Sequence, residues 1–346
     1  MKKIILWLVK IAIAVSVMSW IIIKHKDSFV ENLKNFELKY LFLAILLLLF
    51  QMAVCGVRWY SLLKVQKIDI SLKEVLLLNF KSFFLSLVIP GGMIGGDVAK
   101  VAMVSSRMPK GARLEPNFSI LVDRIIGMIG LFLIAIVVVI CSFNFLLRVD
   151  LSGLKIPSSL NLAGIIIFLL CCFGGIGVSM VIFFHKFFER FKLIKKILNK
   201  LDKLSHGMVN RCQNALDIYS ANWKMLLLWT ILTMIFVHLM VFFIAWVLAI
   251  GLKIEIVSFI GLLSAIILGS IAGLLPLTPS GLGMRDYVTL VVLEAASFNN
   301  AASIPVMLSI VIIASNLIGG IAFFFPENNS NKQENNLNNL TESEAK

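Results

Sequence analysis

The sequence predicts an all-α polytopic membrane protein, with about six full spans and two re-entrant, broken-helix hairpins arranged as an inverted repeat. Three observations carry this expectation. Hydrophobic residues make up 59% of the 346, and mean hydropathy is +0.95; several apolar runs reach the roughly 20 residues that cross a bilayer core. Two apolar stretches, LVIPGGMIGGDVAK (Leu87 to Lys100) and LLPLTPSGLGMRDYV (Leu274 to Val288), nevertheless carry prolines, glycines and charges. These two share a skeleton: Pro90, Gly92 and Asp97 stand at relative positions 0, 2 and 7, and so do Pro279, Gly281 and Asp286.

Full spans are expected near 4–23, 40–58, 118–142, 160–184, 226–250 and 303–325, with the broken segments near 76–106 and 259–297 between them. Proline removes an amide donor and glycine loosens a helix, so both segments should break inside the membrane. Pro90, Gly92 and Gly96 mark the first break, and Pro279, Gly281 and Gly283 the second. Broken backbone survives at that depth only where protein or a wet cavity satisfies it. Paired breaks in two halves point to a transporter-like site.

Charge traces the topology by the positive-inside rule. The net charge of +13 is read as basic loops and not as a nucleic-acid surface. Lys2 and Lys3 precede an apolar run with no clear cleavage site, which reads as a retained anchor with a cytoplasmic N-terminus. The basic loop 185–224 is placed inside, as are 58–81 (Arg58, Lys64, Lys67, Lys73, Lys81) and 107–117 (Arg107, Lys110, Arg113). The first hairpin then enters from the cytoplasm and the second from outside, giving halves 40–142 and 226–325 in opposite orientations; the rival makes each a kinked full crossing. Within the loop, Phe187, Phe191, Ile194, Leu198, Leu201 and Met208 recur at helical spacing among lysines. That suits an amphipathic helix on the anionic inner surface, or a connector packed on the bundle base. Residues 1–325 form the membrane domain, and the Asn/Glu-rich 326–346 reads as a disordered cytoplasmic tail.

A charge at bilayer depth costs about 2.5–3.5 kcal/mol on insertion scales and needs a partner or water. The candidates for substrate binding are therefore Asp97, Lys100, Asp123, Arg124, Arg285 and Asp286. Lys100 lies three residues beyond Asp97, close enough on a helix to pair. Should the hairpin tips meet, Asp97, Lys100, Arg285 and Asp286 would make one ionic cluster, with Lys100 and Arg285 holding a phosphate. The alternative is that these charges only lock the hairpins together. Five cysteines and four histidines show no metal or disulfide spacing, and His238 reads as a polar helix contact. GGMIGGD lacks the GK[ST] ending of a phosphate loop, and Gly92-x-x-x-Gly96 and Gly269-x-x-x-Gly273 read as close-packing sites. No catalytic set, metal or cofactor is expected.

RWYSLL (Arg58 to Leu63), PGGMIGGDVAKV (Pro90 to Val101), DRIIGMIGL (Asp123 to Leu131) and PSGLGMRDYV (Pro279 to Val288) resemble, in that order, the lysylphosphatidylglycerol synthase transmembrane family. Lys100 stands where that family often has arginine, and Asp286 where it usually has glutamate. The resemblance covers roughly 1–325 and implies a flippase-like protein of the cell inner membrane that moves a lipid, with an anionic or phosphate-bearing headgroup, between leaflets. It carries no soluble aminoacyltransferase part, so aminoacylation is not implied. An integral enzyme on a polyprenyl- or glycolipid, with Asp97 and Asp286 binding a metal, is the second reading. A non-transporting partner subunit is the third, and a homo-oligomer is compatible with each.

Overall fold

The computed structural model describes residues 12, 15–89, 93–108, 114–149, 157–184, 208–274 and 281–325. Every regular element among them is helical. Two short helices, α1 (Val15–Lys24) and α2 (Lys26–Lys34), precede the long α3 (Leu38–Val65). Then come α4 (Leu72–Val88), α5 (Met93–Ser105), α6 (Leu114–Cys141), α7 (Asn161–Phe183) and α8 (Met208–Ala221). The second half holds α9 (Trp223–Gly251), α10 (Phe259–Ala272), α11 (Met284–Ala295) and α12 (Ser303–Gly319), whose last turns continue as a 3₁₀ helix over Gly320–Phe324.

Five helices are long and apolar enough to cross a membrane: α3, α6, α7, α9 and α12 with its 3₁₀ extension. They correspond to five of the six expected spans. The remaining span, near 4–23, is described only over its last part, as α1. Large apolar side chains such as Phe42, Phe50, Ile167, Leu170 and Phe324 are exposed along these helices, as a lipid-facing surface requires.

The two broken segments each fold back as an antiparallel helical pair. In the first, Gly96 lies against Ser82 and Ser86, while Lys100 reaches back to Asn79. In the second, Gly281 meets Gly273, and Thr289 donates to the Ala265 carbonyl. Both pairs begin with a serine N-cap, Ser71 accepting from Glu74 N (3.3 Å) and Ser258 from Gly261 N (3.1 Å). The first arm ends at Val88, because Ile89 precedes Pro90 and takes the extended backbone that such a residue prefers (φ −81°, ψ 135°). Pro90, Gly92 and Pro279 themselves lie outside the described residues.

The turn of the second pair needs glycine. Gly281 and Gly283 have φ of +72° and +85°, and a Cβ at Gly281 would stand 2.7 Å from the Gly273 backbone. Gly281→Ala is expected to lower thermal stability in detergent by about 1–3 kcal/mol; an unchanged melting profile would count against this account of the turn. Of the glycines expected to allow close packing, Gly96 meets the Ser82 carbonyl, and Gly269 and Gly273 meet the second arm.

The same neighbour relations recur in both halves. α4 packs on α5 and α10 on α11; α5 on α6 and α11 on α12; α3 on α6 and α9 on α12. Across the halves α3 packs on α9, α6 on α10, and α12 on α4. The most enclosed long helix is α6, which touches α3, α5, α7, α8, α9 and α10.

Two basic residues used to trace the topology are buried within helices. α3 runs seven residues past Arg58, and Arg58 is 6% exposed; Lys81 sits inside α4 at 2% exposure beside the Phe323 ring. The apolar run hides the true helix end because Arg58 finds a buried partner. Lys64, Lys67 and Lys73 keep that end of the bundle basic. Most of the basic loop, including Phe187 to Leu201, lies outside the described residues. Its final part is α8, which packs on the bundle: Tyr219 donates to the Leu62 carbonyl, and Gln66 to that of Ala215.

Candidate functional site

Helices α3 to α6 converge on a cavity of about 40 Å³, space enough for water. α3 supplies Cys55 and Arg58, α4 Asn79, Ser82 and Ser86, α5 Gly96 and Lys100, and α6 Asp123 and Arg124. Gly96 is what brings α4 and α5 so close. A Cβ there would sit 2.6 Å from the Ser82 carbonyl oxygen.

The deep wall is a buried ion pair. Arg58 Nε donates to Asp123 Oδ1 at 2.7 Å and Nη2 to Oδ2 at 3.1 Å, a bidentate fork. The third nitrogen, Nη1, donates to Thr233 Oγ1 on α9 at 2.9 Å. Thr233 immediately precedes a π-helical turn, Met234–Leu239, of the sort that often marks functional sites. From that turn His238 Nε2 lies 2.9 Å from the Gly127 carbonyl of α6, the helix contact expected for it.

Lys100 occupies the cavity floor at 3% exposure. Its Nζ donates to Asn79 Oδ1 at 2.9 Å and sits 4.1 Å above the Trp59 ring. Both partners are themselves fixed, Asn79 Nδ2 donating to the Met52 carbonyl and Trp59 Nε1 to Ser119 Oγ. Among the described residues no carboxylate lies within ion-pair distance of Lys100. The mouth holds a second pair, Arg124 Nη2 to Asp97 Oδ1 at 2.5 Å, both groups partly exposed.

The expected Asp97–Lys100 pair does not form. Asp97 turns to Arg124 of the neighbouring α6, and Lys100 turns to α3 and α4. Nor do Asp97, Lys100, Arg285 and Asp286 make one cluster. Arg285 and Asp286 form a second, closed set: Arg285 Nε and Nη2 donate to Asp286 Oδ1 at 3.1 and 2.9 Å. Asp286 Oδ2 accepts from Ser309 Oγ and from Gly283 N, each at 2.8 Å, and Arg285 Nη2 also donates to Ser309. Asp286 is fully buried and Arg285 8% exposed. Among the described residues no hydrogen bond or ion pair joins this set to the cavity. Asp97 is held by Arg124 of α6 and Lys100 by α3 and α4, whereas Arg285 and Asp286 hold each other and Ser309 of α12. Asp97 and Asp286 are accordingly held by different arginines and do not converge as the metal-binding acid pair of the second reading.

Arg58, Asn79 and Ser82, which line the cavity, and Thr233, which accepts from Arg58, were not among the candidates. Arg58 was counted with the inside basic stretch 58–81. Asn79, Ser82 and Thr233 are neutral and small enough to be unremarkable in a membrane helix. The signal for Arg58 was its distance from the helix end, seven residues of continuing apolar pattern.

The sequence profile described as the lysylphosphatidylglycerol synthase TM region matches residues 7–319. The chain is 23% identical over 322 residues to the UPF0104 membrane protein MJ1595 of Methanocaldococcus jannaschii, covering 90% of this chain and 89% of that protein. It is 25% identical over 129 residues to the UPF0104 membrane protein PH1989 of Pyrococcus horikoshii; that match spans 37% of this chain and 38% of the relative's length. No solved structure matches.

Proposed function

The chain belongs to the lysylphosphatidylglycerol synthase transmembrane family, and from that premise we propose that it moves a lipid with an anionic, phosphate-bearing headgroup between leaflets, the headgroup passing through the cavity between α3 and α6. One observation carries the reading. The cavity gathers three cations, Arg58, Lys100 and Arg124, against two carboxylates, Asp97 and Asp123, and only Lys100 lacks a carboxylate partner. A buried lysine so placed is, when protonated, complementary to a phosphate.

The helical pairs support a re-entrant arrangement. Their arms have 12 to 17 residues, or about 18–26 Å at 1.5 Å per residue, less than the roughly 30 Å of a bilayer core. The recurring neighbour relations support two equivalent halves, which the charge pattern orients in opposite senses with both termini cytoplasmic. Admitting a headgroup to a cavity of about 40 Å³ requires α4 and α5 to part from α6. The Arg124–Asp97 pair at the mouth is the contact that would open first.

Vesicles containing the purified protein and a fluorescent phosphatidylglycerol should show accelerated leaflet exchange. Lys100→Met, similar in length but without charge, should slow it about 10- to 100-fold, from the roughly 1.5–3 kcal/mol of a charged hydrogen bond. No acceleration by the native chain with any phosphate headgroup would refute the proposal.

A further inference from the structure

The charges around the cavity can be balanced in only two ways. Arg58 and Asp123 neutralise each other in the deep wall, and Arg124 and Asp97 do so at the mouth. Lys100 is left over, held by the Asn79 carboxamide and the Trp59 face, both uncharged. The ionisable groups facing it are Cys55 and Arg58 from α3, Asp123 and Arg124 from α6, and Asp97 from its own helix. α4 contributes Asn79, Ser82 and Ser86, which do not titrate. Asp123 is fixed as a carboxylate by the two bonds from Arg58, and a net charge shut away from water is costly. The empty cavity is therefore balanced only when Lys100 is the free amine. With Lys100 protonated, it is balanced by one bound monoanion.

We infer that Lys100 takes up one proton from water for each phosphodiester monoanion that enters the cavity, so that headgroup and proton are bound and carried together. This rests on the anionic-headgroup reading above, and adds to it the coupled ion and the charge state of the ligand. The amine lone pair accepts the proton, no bond in the lipid changes, and the cavity's charge is the same before and after. Asn79 and Trp59 hold the nitrogen in place in both states. Passage is then electroneutral: a pH difference across the membrane biases it, and a membrane potential does not. A phosphomonoester dianion would leave the cavity one negative charge over and is discriminated against.

The test is calorimetric binding of dihexanoyl phosphatidylglycerol to the full-length protein in detergent, at one pH, in two buffers of different ionisation enthalpy. Where Lys100 starts as the amine, the expected uptake is about one proton per lipid bound, with affinity falling about tenfold per pH unit as pH rises. Lys100→Arg, whose charge is fixed, should show no uptake and a flat pH profile whatever its affinity. Binding by the native protein with no proton uptake from pH 6 to 10 would overturn the linkage and leave the headgroup reading standing. Absence of binding at every pH would overturn both. Dimethyl phosphate, the diester without acyl chains, separates the sources. Equal affinity would assign the site to a free anion and remove the lipid from the reading, whereas much weaker binding supports the lipid.

Discussion

Arg58→Ala should destabilise the protein by about 3–5 kcal/mol, because removing one member of a buried ion pair strands the other in a low-dielectric interior. Asp123 would lose both of its bonds from Arg58, and Thr233 would lose its donor. The loss should appear as a lower aggregation temperature of detergent-solubilised protein, and much of it should be recovered in Arg58→Met/Asp123→Leu, where no charge is left unpaired. The paired variant should still bind lipid poorly, since the wall of the cavity has changed. A single Arg58→Ala variant as stable as the native chain would show that water reaches Asp123 freely, and would remove the argument that charge must balance there.

An effect of similar size is expected at the second set, with the opposite consequence for binding. Asp286→Ala leaves Arg285 buried beside Ser309 and takes the carboxylate from Gly283 N, so about 3–5 kcal/mol should again be lost. Arg285→Met/Asp286→Leu should recover part of this. Per folded molecule, its affinity for dihexanoyl phosphatidylglycerol should match that of the native protein, because neither residue lines the cavity. A tenfold loss of affinity in the stable double variant would place the second hairpin in the binding path. The two hairpins share a skeleton, yet among the described residues the first holds Lys100 without a carboxylate partner, while the second pairs Arg285 with Asp286.

The long spans were legible because nothing but a bilayer core asks for such apolar length, and the hairpins because proline, glycine and charge are so poorly tolerated there. Asp97, Lys100, Asp123 and Arg124 stood out for the same reason. Their pairing was not legible. Spacing along one helix suggested Asp97 with Lys100, but the partner of Asp97 is 27 residues away on α6. Arg285 and Asp286 are adjacent and should not face one another on a helix. They meet because Asp286 lies in the first turn of α11, where one carboxylate oxygen, Oδ2, folds back to the Gly283 amide and the other, Oδ1, accepts from Arg285. Arg58 was misread because Lys64 and Lys67 follow within ten residues, and a charge ahead of a basic stretch resembles a membrane boundary.

The π turn of α9 has a geometric consequence. A turn of this kind holds one residue more than an α turn, so relaxing it would swing everything beyond by about 100° about the helix axis. Thr233 sits at its start and His238 near its end, latched to α3 through Arg58 and to α6 through Gly127. Any shift of that extra residue along α9 must release one of these latches. The second-half helix that packs on α3 and α6 thus carries a ratchet tooth, seated against the pair that walls the cavity.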